Sequence, residues 1–139
     1  MSAFNFNTSP KIRFGCGSIN ELGKVVNKLI GKNVLLVTDP GLVEIGLVNK
    51  VINILDNINI NYSIFSDVEA DPSENTIYKA CEQAKEKNVQ GVLGFGGGSS
   101  MDVAKLTALL ANGEEKLIDI YGVGNVKGNR FPLILIPTL

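Results

Sequence analysis

The chain of 139 residues contains no histidine and only two cysteines, and these shortages narrow its possible chemistry. Without an imidazole, His-based acid–base catalysis, Ser-His-Asp triads and most zinc or iron sites are excluded from this chain. Cys16 lies between two glycines, whereas Cys81 lies far along the chain in a helical pattern. We therefore expect two free thiols rather than a disulfide framework.

The sequence also lacks the features of membrane, secreted and nucleic-acid-binding proteins. No apolar run approaches the roughly 18 residues that a transmembrane helix requires, and residues 1–7 lack the basic and apolar regions of a signal peptide. Thirteen Lys and Arg residues against fourteen Asp and Glu residues give a net charge of −1, without a basic stripe. We expect a cytoplasmic protein with no nucleic-acid or membrane partner.

What the chain does contain is the pattern of an α/β domain, with 45% hydrophobic and 19% charged residues. Strand-length apolar runs alternate with helical patterns: strands at residues 33–38, 61–65, 91–95 and 131–136, and helices at residues 18–30, 42–57, 71–87 and 99–112. Continuous apolar runs are typical of parallel strands covered on both faces. The alternation predicts a Rossmann-like parallel sheet with helices on both faces.

Three of the predicted helices begin with capping signals. Ser18 and Glu21 form a capping-box pattern, and Asp71 is an acidic residue before a proline. Ser99 is a candidate N-cap, with Asp102 three residues further on. Side chains of these types accept hydrogen bonds from the first free N–H groups of a helix.

The two ends of the chain give weaker or incomplete patterns. Residues 3–7 and 11–14 predict a short antiparallel pair of strands, and residues 116–129 are rich in glycine without a clear pattern. The chain stops at Leu139, directly after an apolar strand. Because a domain rarely ends on an uncovered core strand, we expect a truncated protein.

A glycine-rich turn stands at the centre of the sequence. Residues 89–105, VQGVLGFGGGSSMDVAK, join a buried strand through Gly96, Gly97 and Gly98 to a helix. Three residues without a Cβ atom would let a phosphate approach the N–H groups at the positive end of that helix. The alternative is a tight turn that binds no ligand. Lys105, one turn into the helix, is expected to be solvated or paired with a carboxylate.

Polar residues follow the other predicted strands, namely Asp39, Asp71 and Thr138. Ligands of open α/β sheets bind beyond the carboxyl ends of the strands, so we expect these residues and the glycine turn to share one rim. There Asp39 would accept hydrogen bonds from ribose hydroxyls and repel a 2′-phosphate, which favours NAD over NADP. Structural roles remain open for each, as a turn aspartate, an N-cap and a structural threonine.

The sequence GGGSSMDVAK at residues 96–105 resembles the GGGSxxDxAK signature of the iron-containing (group III) alcohol dehydrogenases. Glycerol dehydrogenase and dehydroquinate synthase are more distant relatives. Residues 38–39 (TD), 71–73 (DPS) and 136–138 (IPT) resemble further landmarks of this family, in the same order. The resemblance implies that residues 1–139 are the dinucleotide-binding N-terminal domain of a dehydroquinate synthase-like fold, without the helical metal-binding domain.

By resemblance, the full-length parent transfers a hydride between a primary alcohol or small diol and NAD, and interconverts the alcohol and its aldehyde. Iron or another divalent metal would be held there by one aspartate and several histidines, none of which can be assigned to this chain. The implied cofactor contacts are Asp39, Asp71, Gly96, Gly97, Gly98, Ser99, Asp102, Thr138 and Leu139. We assign no catalytic residue, expect this chain alone to be inactive, and expect a homodimer paired through residues 3–7.

Two alternatives remain open at this stage. In the usual G-x-G-x-x-G fingerprint, the acid that binds the ribose follows about 20 residues later, which would be Asp119. We favour Asp39, because Asp119 does not follow a convincing strand. The parent is alternatively a glycerol- or hydroxyacid-type dehydrogenase of the same superfamily, or the chain is a non-catalytic nucleotide-binding or interaction module.

Overall fold

The computed structural model describes residues 11–112 and 130–138, which form a parallel sheet with helices on both faces. The strands are β1 (Asn33–Val37), β2 (Asn61–Phe65), β3 (Gly91–Gly96) and β4 (Leu133–Pro137). The helices are a 3₁₀ turn (Ser18–Glu21), α1 (Leu22–Leu29), α2 (Pro40–Glu44), α3 (Val48–Asn57), α4 (Glu74–Glu86) and α5 (Gly98–Leu110). The predicted fold class is confirmed.

The order of the strands reverses at β1. All pairings are parallel, and the order across the sheet is β2-β1-β3-β4. Val37 at the end of β1 is in register with Phe65 of β2 on one side and with Gly94 of β3 on the other. Ligands of open α/β sheets bind where the strand order reverses, outside the carboxyl ends. This point lies between the segments that follow β1 and β3.

The two central strands are buried on both faces, as their continuous apolar runs predicted. Helices α4 and α5 cover one face and pack on Leu35 and Val37, whereas α1 and α3 cover the other and pack on Leu36 and Leu93. All four side chains are fully buried. Burying a side chain of this size stabilises a fold by about 1.5–3 kcal/mol, so this core fixes where the strand ends lie.

The predicted helix over residues 42–57 is divided into α2 and α3, which corrects the sequence interpretation. Gly46 between them has φ +78°, a left-handed conformation in which an α-helix does not continue. The buried side of α3 places Val48, Val51 and Leu55 in the core.

The predicted capping residue does not cap the first helix, and the N-cap of α4 is a different residue from the predicted one. Ser18 begins a 3₁₀ turn whose N-cap is Gly17, and no side chain caps it. At α4, Ser73 rather than Asp71 is the N-cap, because Ser73 Oγ accepts a hydrogen bond from Thr76 N at 3.2 Å. Asp71 lies before the helix with φ +50°. Its sequence-based role as a cap is therefore wrong.

The first described segment also differs from the prediction. Residues 11–14 are irregular, and Phe14 is fully exposed rather than part of a strand pair. The proposed partner strand and dimer contact, residues 3–7, lies outside the described residues, as does the segment 116–129. Helix α1 ends before Gly31 (φ +125°), as the predicted helix over residues 18–30 does, and Leu29 in its last turn is half exposed.

Both cysteines are free thiols, as predicted, with Cys16 exposed and Cys81 buried in α4. Burial raises the pKa of the Cys81 thiol to about 11, although Lys85 and the Thr107 hydroxyl partly oppose the shift. Cys81 is therefore an un-ionised core residue at neutral pH. In the part of the chain that the structure describes, no helix is long and apolar enough to cross a membrane.

Candidate functional site

The glycine run forms the turn between β3 and α5. Gly96 ends the strand, Gly97 is the helix N-cap and Gly98 is the first helical residue. A Cβ atom on Gly97 or Gly98 would meet no atom of the described residues within 4 Å, and both glycines are exposed. Packing therefore does not require glycine at these two positions. Their backbone N–H groups are accessible to a ligand, which a side chain would hinder.

Gly96 is different, because packing requires it. Its φ is +152°, and a Cβ atom there would lie 2.7 Å from Ser100 Oγ and 3.2 Å from Asp39 Oδ2. Ser100 itself is almost fully buried in the first turn of α5. The close approach of three elements at Gly96 brings the end of β1 against the glycine turn.

The sequence-based roles of Ser99 and Asp102 as caps are wrong. Ser99 is inside the first turn of α5, whose N-cap Gly97 makes no side-chain hydrogen bond. Asp102 pairs instead with Lys105, whose Nζ lies 3.9 Å from Asp102 Oδ1 on the exposed side of the helix. The first N–H groups of an α-helix have no partner within the helix. At α5 no cap side chain occupies them, so they are suited to bind an anion.

Asp39 links the end of β1 to the glycine turn. Its Oδ1 accepts a hydrogen bond from Leu42 N at 3.0 Å and so caps α2. Its Oδ2 is directed toward Gly96, as the 3.2 Å separation from a Cβ built there shows. The carboxylate therefore has one oxygen engaged in local structure and a second beside the turn. The structural and the ligand-binding interpretation of Asp39 are compatible.

Thr138 approaches the same turn from the other side. Its N–H donates a hydrogen bond to the Gly96 carbonyl at 2.8 Å, which holds the residue after β4 beside the end of β3. The structure thus brings Asp39, Gly96 and Thr138 together. Leu139 and the rival ribose acid Asp119 lie outside the described residues.

Asp71 is placed differently from this group. It is exposed on the loop that follows β2, and β1 separates β2 from β3 in the sheet. Asp71 therefore lies after the carboxyl end of a strand, as predicted, but that strand is not adjacent to β3 and its glycine turn.

Two residues at this edge belong to the motifs quoted from the sequence but were not among the predicted site residues. Thr38, directly after β1, is fully buried, and its hydroxyl has no hydrogen-bond partner among the described residues. Ser100 packs against Gly96 and fixes the shape of the turn. The available signal for Thr38 was a polar residue that ends a continuous apolar strand. For Ser100, it was a small residue one turn into the helix after the glycines.

The acidic residues that the structure describes do not form a metal centre. Within residues 11–112 and 130–138, no group of three His, Cys, Asp or Glu side chains is arranged to hold a metal ion. The polar groups at the turn are backbone N–H groups, which donate hydrogen bonds, and one carboxylate oxygen, which accepts them. This set is suited to bind phosphate and hydroxyl groups rather than a metal.

Comparison with known proteins places the chain among dehydrogenases. Residues 9–139 match the family model described as iron-containing alcohol dehydrogenase. A sulfoacetaldehyde reductase from Bilophila wadsworthia is 33% identical over 136 residues, which are 98% of this chain and 35% of that protein. Long-chain-alcohol dehydrogenase 1 from Geobacillus thermodenitrificans is 35% identical over 141 residues, or 99% of this chain and 36% of that protein.

Solved structures agree with the sequence comparisons. The crystal structure of NADH-dependent butanol dehydrogenase A from Thermotoga maritima superposes with a TM-score of 0.85 at 31% identity, covering 100% of this chain and 35% of that chain. The present chain therefore spans about a third of the length of the relatives that it matches.

Proposed function

We propose that this chain, which belongs to the iron-containing alcohol dehydrogenase family, binds the dinucleotide NAD at the carboxyl edge of its sheet. The observation that supports this most strongly is the position of Asp39 Oδ2 beside Gly96, at the point where the strand order reverses. A hydroxyl acceptor and a phosphate-binding turn are thereby adjacent, as a dinucleotide requires. The butanol dehydrogenase with a similar structure is named NADH-dependent.

In this proposal the pyrophosphate binds the start of α5. The open space over Gly97 and Gly98 lets phosphate oxygens approach the backbone, and the N–H groups of residues 98–100 donate to them. Hydrogen bonds to a charged group contribute about 1.5–3 kcal/mol each. The positive end of the helix adds about 0.3–1 kcal/mol. Ser99 offers an N–H and a hydroxyl in the same turn.

Asp39 selects the ribose in this proposal. Its Oδ2 accepts a hydrogen bond from a ribose hydroxyl, while its Oδ1 remains bound to Leu42 N. A 2′-phosphate would place like charges close together, and two charges about 4 Å apart near a protein surface repel by about 4 kcal/mol. Allowing for screening by salt, we expect this chain to prefer NAD over NADP by roughly 100-fold.

The reaction is assigned to the whole protein and not to this chain. Bound NAD accepts or donates a hydride at its nicotinamide ring. We propose a metal-dependent hydride transfer between NAD and a primary alcohol or small diol, because the names of the similar proteins agree on alcohol or aldehyde chemistry. Those names disagree on the carbon compound, so no single substrate is assigned. The chain contains no histidine, and its described residues form no metal site, so no catalytic step is placed on it.

Calorimetric titration with NAD, NADP and ADP-ribose tests the proposal. We expect saturable binding of NAD and ADP-ribose, weakened at least tenfold by Asp39→Ala, with no change for Asp67→Ala on an exposed loop. Asp39→Asn retains a capping oxygen for Leu42 and removes the charge, so it should raise the affinity for NADP relative to NAD.

Two results would contradict this assignment. Folded protein that binds neither NAD nor ADP-ribose would exclude a cofactor site in this chain alone. Loss of binding in Asp119→Ala, with normal binding in Asp39→Ala, would assign the ribose to the rival residue. Metal-dependent alcohol oxidation by this chain alone would overturn the expectation that it is catalytically inactive.

A further inference from the structure

The outer strand β2 has a composition that promotes pairing between molecules. Residues 59–65, NINYSIF, contain no charged residue, no proline and no glycine. Such segments favour intermolecular β-structure when they are exposed at a sheet edge. Natural edge strands commonly carry Lys or Pro against this hazard, and β2 contains neither. In the sheet that the structure describes, β2 has β1 as its one neighbour.

The hydrogen bonds to β1 show which peptide groups of β2 are directed outward. Asn61 N donates to Lys32 O at 2.8 Å, and Phe65 O accepts from Thr38 N at 2.9 Å. In a parallel ladder, alternate residues bond to the same neighbour. The peptide groups of residues 61, 63 and 65 therefore form hydrogen bonds with β1. The N–H and C=O groups of Tyr62 and Ile64 are directed to the outer side of the sheet.

A side chain of α4 donates a hydrogen bond to one of these outward-directed peptide groups. Gln83 Nε2 donates to Ile64 O at 2.9 Å and to Ser63 Oγ at 2.7 Å. A side-chain amide nitrogen has two hydrogens, so both are used. The Ser63 hydroxyl fixes the orientation of the amide. The amide lies against the Ile64 carbonyl at the middle of the outer edge, where the N–H group of another strand would have to bind.

We propose that Gln83 protects the β2 edge against pairing with β2 of a second copy of this chain. A second strand needs the Ile64 carbonyl as an acceptor and must first displace the amide, which is held at two points. The second copy is the expected partner because its β2 is an identical, uncharged and β-favouring strand. This contact is independent of cofactor binding and of the predicted pairing through residues 3–7.

Sedimentation velocity over a range of concentrations tests this with the whole chain. We expect Gln83→Ala to self-associate at a concentration at least tenfold lower than the unsubstituted chain does. Glu82→Ala, an exposed neighbour on the same helix, is the matched control and should behave like the unsubstituted chain. Adding Asn61→Lys to Gln83→Ala places a charge on an exposed position of β2 and should reverse the effect.

Ser63→Ala provides a second and milder test, because it leaves α4 unchanged and removes the acceptor that orients Gln83. We expect an increase of the same sign, about threefold. Circular dichroism shows which variants are folded. If Gln83→Ala is not folded, the self-association of Ser63→Ala tests the proposal instead. The proposal is overturned if the folded variants associate like the unsubstituted chain. It is also overturned if Asn61→Lys fails to reverse the association of Gln83→Ala, because the contact would then lie elsewhere.

Discussion

At the amino edge of the sheet, where the strands begin, polar groups are bound to one another. At the carboxyl edge, Gly97 and Gly98 are exposed, and the buried Thr38 hydroxyl has no partner among the described residues. Gln90 Oε1 accepts from Lys32 N at 2.8 Å at the amino edge. Asn33 Nδ2 donates there to the carbonyls of Lys87 and Asn88, at 2.8 and 3.0 Å. These contacts join the starts of β1 and β3 to the end of α4.

The polar groups at the carboxyl edge are not joined to one another by hydrogen bonds in the same way. Space is open over Gly97 and Gly98, the Thr38 hydroxyl has no partner among the described residues, and one oxygen of Asp39 caps α2 while the other borders the turn. Closing this edge with hydrogen bonds, as at the amino edge, would have been the more stable arrangement. We therefore expect a ligand at the carboxyl edge, whereas the hydrogen bonds at the amino edge contribute to stability.

The largest effect is expected at the amino edge, from Gly91→Ala. A Cβ atom there would lie 2.6 Å from Ile30 Cγ2 and 2.9 Å from the Pro132 carbonyl oxygen, which belongs to the backbone and cannot move alone. We expect a loss of about 3 kcal/mol in the free energy of unfolding, measured with urea. An unchanged midpoint would show that this edge is not tightly packed.

Asn33→Ala should have the next largest effect. It removes two hydrogen bonds that join β1 to the end of α4, each of which contributes about 1 kcal/mol. We expect the free energy of unfolding to fall by about 1–2 kcal/mol, while the affinity for ADP-ribose stays within twofold. Weaker binding by this folded variant would mean that the two edges are coupled.

Gly98→Ala tests the carboxyl edge, where we expect an effect on ligand binding rather than on stability. The new Cβ atom meets no atom within 4 Å in the part of the chain that the structure describes, and alanine is the better helix former by about 1 kcal/mol. We expect stability to be unchanged or slightly higher, and ADP-ribose to bind about tenfold more weakly because the methyl group hinders the phosphate. Destabilisation with unchanged binding would identify Gly98 as a structural glycine.

Thr38→Val should have the smallest effect and the opposite sign. Valine has the same shape and removes a buried hydroxyl that lacks a partner among the described residues. We expect thermal and urea unfolding to show a gain of about 1 kcal/mol. Thr38→Ser is the control, because it keeps the hydroxyl and loses a buried methyl group, and it should be destabilising. A less stable Thr38→Val would indicate an ordered partner for the hydroxyl.

Much of the fold could be predicted from the sequence, because a strand buried on both faces leaves a continuous apolar run. The bounds of β2 were predicted as residues 61–65, and those of β1 to within a residue. The apolar pattern of residues 42–57 predicted one helix, although the positive φ of Gly46 divides it. Capping residues were misplaced at Ser18 and Ser99, because a three-residue spacing does not determine which residue adopts the extended cap conformation.

The candidate site could be predicted in part. The glycine turn and Asp39 were identified from their positions after strands and from the family resemblance, and the family match confirms that resemblance. Their contact depends on β1 and β3 being neighbours, which apolar periodicity does not reveal. The sequence also does not reveal that Asp39 Oδ1 caps α2 while Asp39 Oδ2 lies beside Gly96. The cofactor roles of these residues remain predictions.

Amide NMR of the isotope-labelled chain during titration with ADP-ribose tests the central claim most directly. We predict shifts concentrated at residues 38–42 and 96–101, at the carboxyl edge, with little change at Gly31, Gln90 and Gly91 at the amino edge. Saturating shifts at the amino edge, or none at either edge in a folded chain, would contradict the account.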